Sequence, residues 1–145
     1  MEYQNNKLVI SRRFSAPIES VWNALTDYEL IKEWSPFFFS GFRAEVGFES
    51  RFLLGPDPEH QFLHLCKVVE VIENQKLTYT WAYDGQPGES RVNFQLSEGG
   101  KVTEVVFSHE ITKPFPSDDP IFALSSFVQG WTQTVNALQE FVSIL

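Results

Sequence analysis

DPIFALSSFVQGWTQTVNALQEFVSIL, residues 119–145, reads as one long amphipathic helix. Leu124, Phe127, Trp131, Val135 (or Thr134), Leu138 and Val142 recur at intervals of three and four, so a helix of 3.6 residues per turn gathers them on one stripe. Asp119 followed by Pro120 is a helix start, an acceptor side chain ahead of a residue that needs no N–H partner. Gly130 stands mid-helix, where glycine costs about 1 kcal/mol relative to alanine. Close contact with a neighbouring element, or a bend, is the expected reason for it.

Upstream the period changes to two. Residues 77–83 alternate cleanly, with Leu77, Tyr79, Trp81 and Tyr83 on one face and Thr78, Thr80 and Ala82 on the other. Residues 48–54, 91–97 and 103–111 alternate in the same way and carry Phe52, Phe94, Phe107 and His109 on apolar faces. The stretch 61–72 is apolar on both faces except at Lys67 and Glu70, so its inward side is not assigned. Gly55-Pro56-Asp57-Pro58, Asn74-Gln75, residues 84–88 and residues 98–101 supply the turns. A strand-rich chain closed by one long helix must lay that helix across a curved sheet, because neither element buries its apolar side alone. The expected fold is α+β, and function is to be sought between helix and sheet.

The N-terminal part fits that plan. Residues 8–14 read as a first strand, and Pro17 suits the first position of a helix in which Ile18, Val21, Trp22 and Leu25 form one face, with Glu19 in the first turn. Thr26 and Asp27 stop it and cap a second short helix, 28–33, ending near Trp34. Phe37, Phe38, Phe39 and Phe42 are too consecutive for one face of a regular element. They either plug the end of the sheet or form a lip over a pocket, and the plug is preferred because exposed clusters of this size invite association.

Composition excludes several classes. The length of 145 residues suits one domain spanning 1–145. With 19 acidic against 11 basic side chains the net charge of −8 repels a phosphate backbone, so nucleic acid is not an expected partner. No run approaches the ~18 apolar residues of a membrane span, and the N-terminus lacks signal-peptide organisation, so a cytoplasmic protein is expected. Cys66, the single cysteine, reads as a small buried thiol. Aromatic residues make up 15% of the chain, including fourteen Phe and four Trp; most must face inward, and some are expected to line a pocket.

Specific strings carry a resemblance. FSAPIESVWNALTD (residues 14–27), followed by Trp34, resembles the opening signature of the START-like (SRPBCC) superfamily, particularly homologues of the heat-shock protein ATPase activator of the C-terminal domain type. Val68-Val-Glu-Val71, Leu77-Thr-Tyr-Thr-Trp81, residues 103–109 and Gly130-Trp131 are similar to that family's later landmarks, in the same order. The resemblance implies a helix-grip fold, a curved antiparallel β-sheet with two short N-terminal helices and one long C-terminal helix, enclosing an apolar cavity. It also implies a place among stress-response relatives. It does not choose among lipid carriers, hormone-binding proteins, polyketide cyclases and co-chaperones, which share the fold. Cys66 stands where relatives often have glycine, and Glu110-Ile111 replaces small residues; both changes are expected to narrow the cavity.

Among polar groups His109 is the most informative. Surrounded by Val105, Phe107 and Ile111, it either orients a ligand or moves a proton, or is a structural histidine bonded to backbone or to a tyrosine; the structural role is the commoner one. Tyr79 and Tyr83 are either core residues or ligand contacts. His60 and His64 are spaced to share one side of a strand, but no third ligand accompanies them, so no metal is assigned. No nucleophile elbow, phosphate loop or paired carboxylates are present, and no catalytic residue or cofactor is assigned. The expected function is binding of a hydrophobic small molecule, with walls from Trp22, Trp34, Phe52, Tyr79, Trp81, Phe94, Phe107, Phe127 and Trp131 and with His109 and Tyr79 as polar handles. A chaperone-interacting module and a cyclase or dehydratase acting through His109 are the alternatives, in a monomer or homodimer.

Overall fold

In the computed structural model, residues 2–37 and 41–145 are described. Alternating burial builds the sheet: β1 (Lys7–Phe14) buries Leu8, Ile10 and Phe14 and turns Lys7, Val9, Ser11 and Arg13 outward. Two helices follow. In α1 (Ile18–Thr26) Ile18, Val21, Trp22 and Leu25 are buried as the spacing requires, and Glu19 sits in the first turn. Pro17 takes the extended position just ahead of the helix rather than the first helical one, and its carbonyl accepts from the N–H groups of Ser20 and Val21. Asp27 ends α1 and caps α2 (Tyr28–Trp34), its carboxylate accepting the Glu29 N–H at 3.0 Å. The Trp34 indole N–H donates to the Ala24 carbonyl at 2.8 Å and ties the two helices together.

The remaining strands are β2 (Glu49–Leu54), β3 (Phe62–Ile72), β4 (Lys76–Tyr83), β5 (Glu89–Gly99) and β6 (Val102–Lys113). They form one six-stranded antiparallel sheet in the order β1-β6-β5-β4-β3-β2, curved and open, with β1 and β2 at its edges. Leu8 lies opposite His109 and Ile10 opposite Phe107, so both strands direct apolar side chains to the concave face. β5 and β6 run further than their alternation alone suggests, because the turn between them is as tight as Gly100 and Lys101, with Gly100 at φ +78°.

The unassigned face of β3 has a physical cause. His64, Cys66 and Val68 point inward, and then the register against β4 shifts between Val68 and Glu70, so that Val71, opposite buried Leu77, continues the inward row. A bulge moves the row from even to odd positions, and no single period describes the strand.

The final helix begins later than expected. Asp119 does cap a turn, accepting the Ile121 N–H, but the turn is a 3-10 segment, Pro120–Phe122, and extended Ala123 separates it from α3 (Leu124–Ser143). That break changes the phase of the stripe: Leu124, expected on it, is 47% exposed, and Phe122 is buried instead. From Phe127 onward the stripe holds, with Trp131, Thr134, Val135, Leu138 and Val142 buried over the sheet. The Gln139 side-chain amide donates to the Arg13 carbonyl at 3.1 Å, fastening the helix to β1. Among the described residues no contact requires Gly130 to lack a side chain, since a Cβ built there meets none of them within 4 Å. Close packing, expected from the sequence, is not its role.

Phe37 and Phe42 are both buried, as a plug requires, while Phe38 and Phe39 lie outside the described residues. Cys66 is buried too, and burial pushes its thiol pKa well up. Glu110 is exposed and lies opposite Arg91 and Lys7, so it faces away from the concave side and does not narrow any cavity there.

Candidate functional site

A pocket of about 280 Å³ lies where α3 meets the β4 and β2 end of the sheet. Its buried floor is aromatic: Phe37, Trp81 and Tyr83 on one side, Phe127 and Trp131 on the other. Pro36, Ser126, Gly130 and Gln133 are exposed and form the rim, while Leu54 and Thr134 complete the wall. Among the described residues no charged side chain lines it.

Each wall follows from its local sequence. The alternation of β4 delivers Trp81 and Tyr83 to the same face, where the Trp81 indole N–H donates to the Tyr83 hydroxyl at 2.9 Å. Burial raises the Tyr83 pKa to about 12, so the hydroxyl stays protonated. The helical stripe brings Trp131 edge-on to Trp81 with ring centres 4.9 Å apart. Phe37, carried in by the segment after α2, stacks on Phe52 at 5.4 Å and 7° and meets Trp81 and Trp131 edge-on. The Trp131 indole N–H is buried with no hydrogen-bond partner among the described residues. Thr134 satisfies its own hydroxyl by donating to the Gly130 carbonyl at 2.9 Å.

Of the ten residues expected to surround a ligand, Trp81, Phe127 and Trp131 line this pocket. Trp34, Tyr79 and Phe94 border a separate void of about 20 Å³, on the far side of Phe37, with room for about one water molecule. Phe52 lies beneath Phe37, Phe107 packs against Trp131 at 5.3 Å, and Trp22 is buried on α1.

His109 stands behind Trp131, their ring centres 5.2 Å apart, and is fully buried. Both ring nitrogens are occupied: Nδ1 lies 2.6 Å from the Tyr3 hydroxyl and Nε2 2.7 Å from Ser90 Oγ. In a neutral imidazole one ring nitrogen donates and the other accepts, so one of these two hydroxyls donates to His109 and the other accepts from it. Burial lowers the His109 pKa to about 3, consistent with that neutral form. This is the structural role, with the tyrosine supplied by the segment ahead of β1.

His60 and His64 do not share a strand face. His60 sits in the loop before β3 with Nδ1 2.7 Å from the Asp57 carboxylate, while His64 is buried in β3 and donates from Nδ1 to the Phe62 carbonyl. Phe52 stacks on His64 at 4.9 Å, and Trp81 and Tyr83 meet it edge-on. Among the described residues no group of three or more His, Cys, Asp or Glu side chains is placed to hold a metal ion.

Ser90 was within reach of sequence reasoning, since it continues the inward series of Val92, Phe94 and Leu96 by two. Tyr3 offered no such signal, because it precedes the first periodic segment. Pro36, Ser126 and Gln133 are rim residues on no apolar stripe, and only their position around the aromatic floor identifies them.

Known proteins share this architecture. Protein CV1439 from Chromobacterium violaceum matches with a TM-score of 0.78 at 22% identity, over 97% of this chain and 99% of that one. Protein MLL2253 from Mesorhizobium loti is 27% identical, with a TM-score of 0.73 over 94% of this chain and 96% of that one. DynU16, described as a protein in the dynemicin biosynthetic locus, matches with a TM-score of 0.74 at 19% identity, over 96% of this chain but 48% of that one. A comparison with curated proteins found no match. The family model described as "Activator of Hsp90 ATPase homolog 1-like protein" matches residues 15–143. The helix-grip architecture and this match over nearly the whole chain agree with the strings at 14–27, 68–81 and 130–131, and the chain belongs to that family, within the START-like superfamily.

Proposed function

We propose that the protein binds a hydrophobic, aromatic small molecule in the pocket between α3 and the β4 end of the sheet. The observation that carries this reading is the pocket's make-up: a buried aromatic floor, no charged wall, and a polar rim open at the surface. Small-molecule sites are mostly apolar with a few polar groups fixing orientation, and commonly enclose ~300–1,000 Å³. At about 280 Å³ this one falls just below that range.

Titration with naphthol, followed by emission of the tryptophans, tests the reading. Saturable quenching that is lost when Phe127 and Trp131 are both replaced by Ala supports it, provided the variant keeps its circular dichroism. Linear, non-saturable quenching of the unaltered protein overturns it.

A chaperone-binding role rests on the family description. A pull-down with an Hsp90-type chaperone at low salt tests it, and retention of the protein is the supporting result. The cyclase or dehydratase reading required an available imidazole at His109. That ring is fully buried with both nitrogens bonded and does not line the pocket, so the geometry offers the reading no proton carrier there.

A further inference from the structure

Gly130 is a helical glycine without the usual reasons for one. α3 continues through it from Leu124 to Ser143, and its φ is not in the left-handed region. Among the described residues an added Cβ would meet nothing within 4 Å, so no neighbouring backbone there demands the missing side chain. A residue that weakens a helix and relieves no crowding must be explained by the space it leaves.

That space is the pocket. At about 100° per residue along α3, Ser126 and Gln133 project on one side of Gly130, and Phe127, Thr134 and Trp131 on the other. All five line the pocket together with Gly130 itself. A side chain at 130 would therefore rise from the middle of the helical wall and take up part of the pocket's opening.

We propose that Gly130 is the specificity-determining residue of the pocket, its missing side chain providing the room in which a flat, two-ring aromatic ligand lies against α3. The inference rests on the ligand-binding reading above. The size of the ligand follows from the volume: a cavity of ~150 Å³ holds benzene, and this one, at about 280 Å³, is nearly twice as large. A two-ring molecule fills it, and a one-ring molecule leaves room to spare.

The test uses the full chain, isothermal calorimetry with naphthol and with phenol, and thermal unfolding. Gly130→Ala is expected to melt about 3 °C higher, because alanine favours the helix and nothing opposes its methyl group. It is also expected to bind naphthol more weakly. Gly130→Leu is expected to lose about tenfold or more in naphthol affinity while phenol binding changes much less, inverting the preference for the larger ligand. Asn136→Leu, on an exposed part of α3 outside the pocket, should leave both affinities unchanged. Naphthol binding by Gly130→Leu equal to that of the unaltered protein overturns the inference. Should Gly130→Leu fail to fold, Gly130→Ala decides: raised stability with unchanged naphthol affinity overturns it as well. Failure of the unaltered protein to bind naphthol would instead remove the ligand-binding reading itself.

Discussion

The phenol of Tyr3 and the imidazole of His109 meet at 2.6 Å across 106 positions of sequence. Tyr3 is the segment's anchor: it lies ahead of β1, its ring meets His109 edge to face at 5.9 Å, and burial pushes its pKa well above the ordinary value. The hydroxyl therefore stays protonated. Tyr3→Phe removes that hydroxyl while leaving the ring, so a buried imidazole nitrogen loses its partner. The expected cost is about 1–3 kcal/mol in urea unfolding. An unchanged midpoint would show that the bond contributes nothing to stability.

Acid should weaken the fold through the same histidine. The ordinary histidine value is 6.5 and the folded value about 3, so between them the unfolded chain binds a proton that the native state refuses. Stability is then full above pH 6.5 and declines as pH falls toward 3, with a slope approaching about 1.4 kcal/mol per pH unit from His109 alone. His64 is shifted in the same direction by burial and adds to the slope. The groups facing His109 are the hydroxyls of Tyr3 and Ser90 and the rings of Phe127 and Trp131, none of which supplies a compensating negative charge. Urea unfolding between pH 6.5 and 5, above most carboxylate titration, should show the decline. His109→Gln should flatten it, and a slope unaffected by that substitution would assign the effect elsewhere.

Cys66 should be silent toward thiol reagents while the protein is folded. Burial both covers the sulfur and raises its pKa, so the thiolate, the reactive form, is scarce. Labelling by an aromatic disulfide reagent should proceed at the rate of native-state opening and become fast in denaturant. Rapid stoichiometric labelling without denaturant would contradict the buried placement.

How much of this was legible from residues alone differs by level. The face of β4 was readable because Leu77, Tyr79, Trp81 and Tyr83 alternate with smaller side chains, and the stripe from Phe127 to Val142 was readable for the same reason in helical form. Depth was not readable. Periodicity tells which side a residue takes but not whether a ring meets a ligand or another ring, so Phe52, Phe94 and Phe107 had the same signature as Trp81. Two further features depended on contacts that no local pattern encodes: the bulge that shifts β3 between Val68 and Glu70, and the arrival of Tyr3 at His109. Gly130 stands out in the sequence by its cost to a helix, yet the close packing expected there is absent among the described residues, because the glycine faces open space.

Phe37 separates the pocket from the small void behind it, since it borders both. It is only 6% exposed, and its stacking on Phe52 gives it the packing of a core residue. Phe37→Ala should destabilise the fold by about 3 kcal/mol, at the lower end for a buried phenylalanine because one side already borders the pocket. The same change should merge the two spaces and admit larger aromatic ligands. Binding of a three-ring probe by the variant but not by the unaltered protein is the expected result. A loss of stability with no change in ligand size would mean that the surroundings collapse into the gap.

Trp81 and Trp131 offer a matched comparison, because their rings touch and each is buried, yet only Trp81 has a partner for its N–H. Replacing either by Phe removes a similar volume. Trp81→Phe also takes the donor from the Tyr83 hydroxyl, whereas Trp131→Phe removes a polar group whose unsatisfied burial already opposes folding. Trp81→Phe should therefore be more destabilising by about 1 kcal/mol or more in parallel urea titrations. Equal destabilisation by the two substitutions would mean that the unpartnered indole N–H of Trp131 costs the native state nothing.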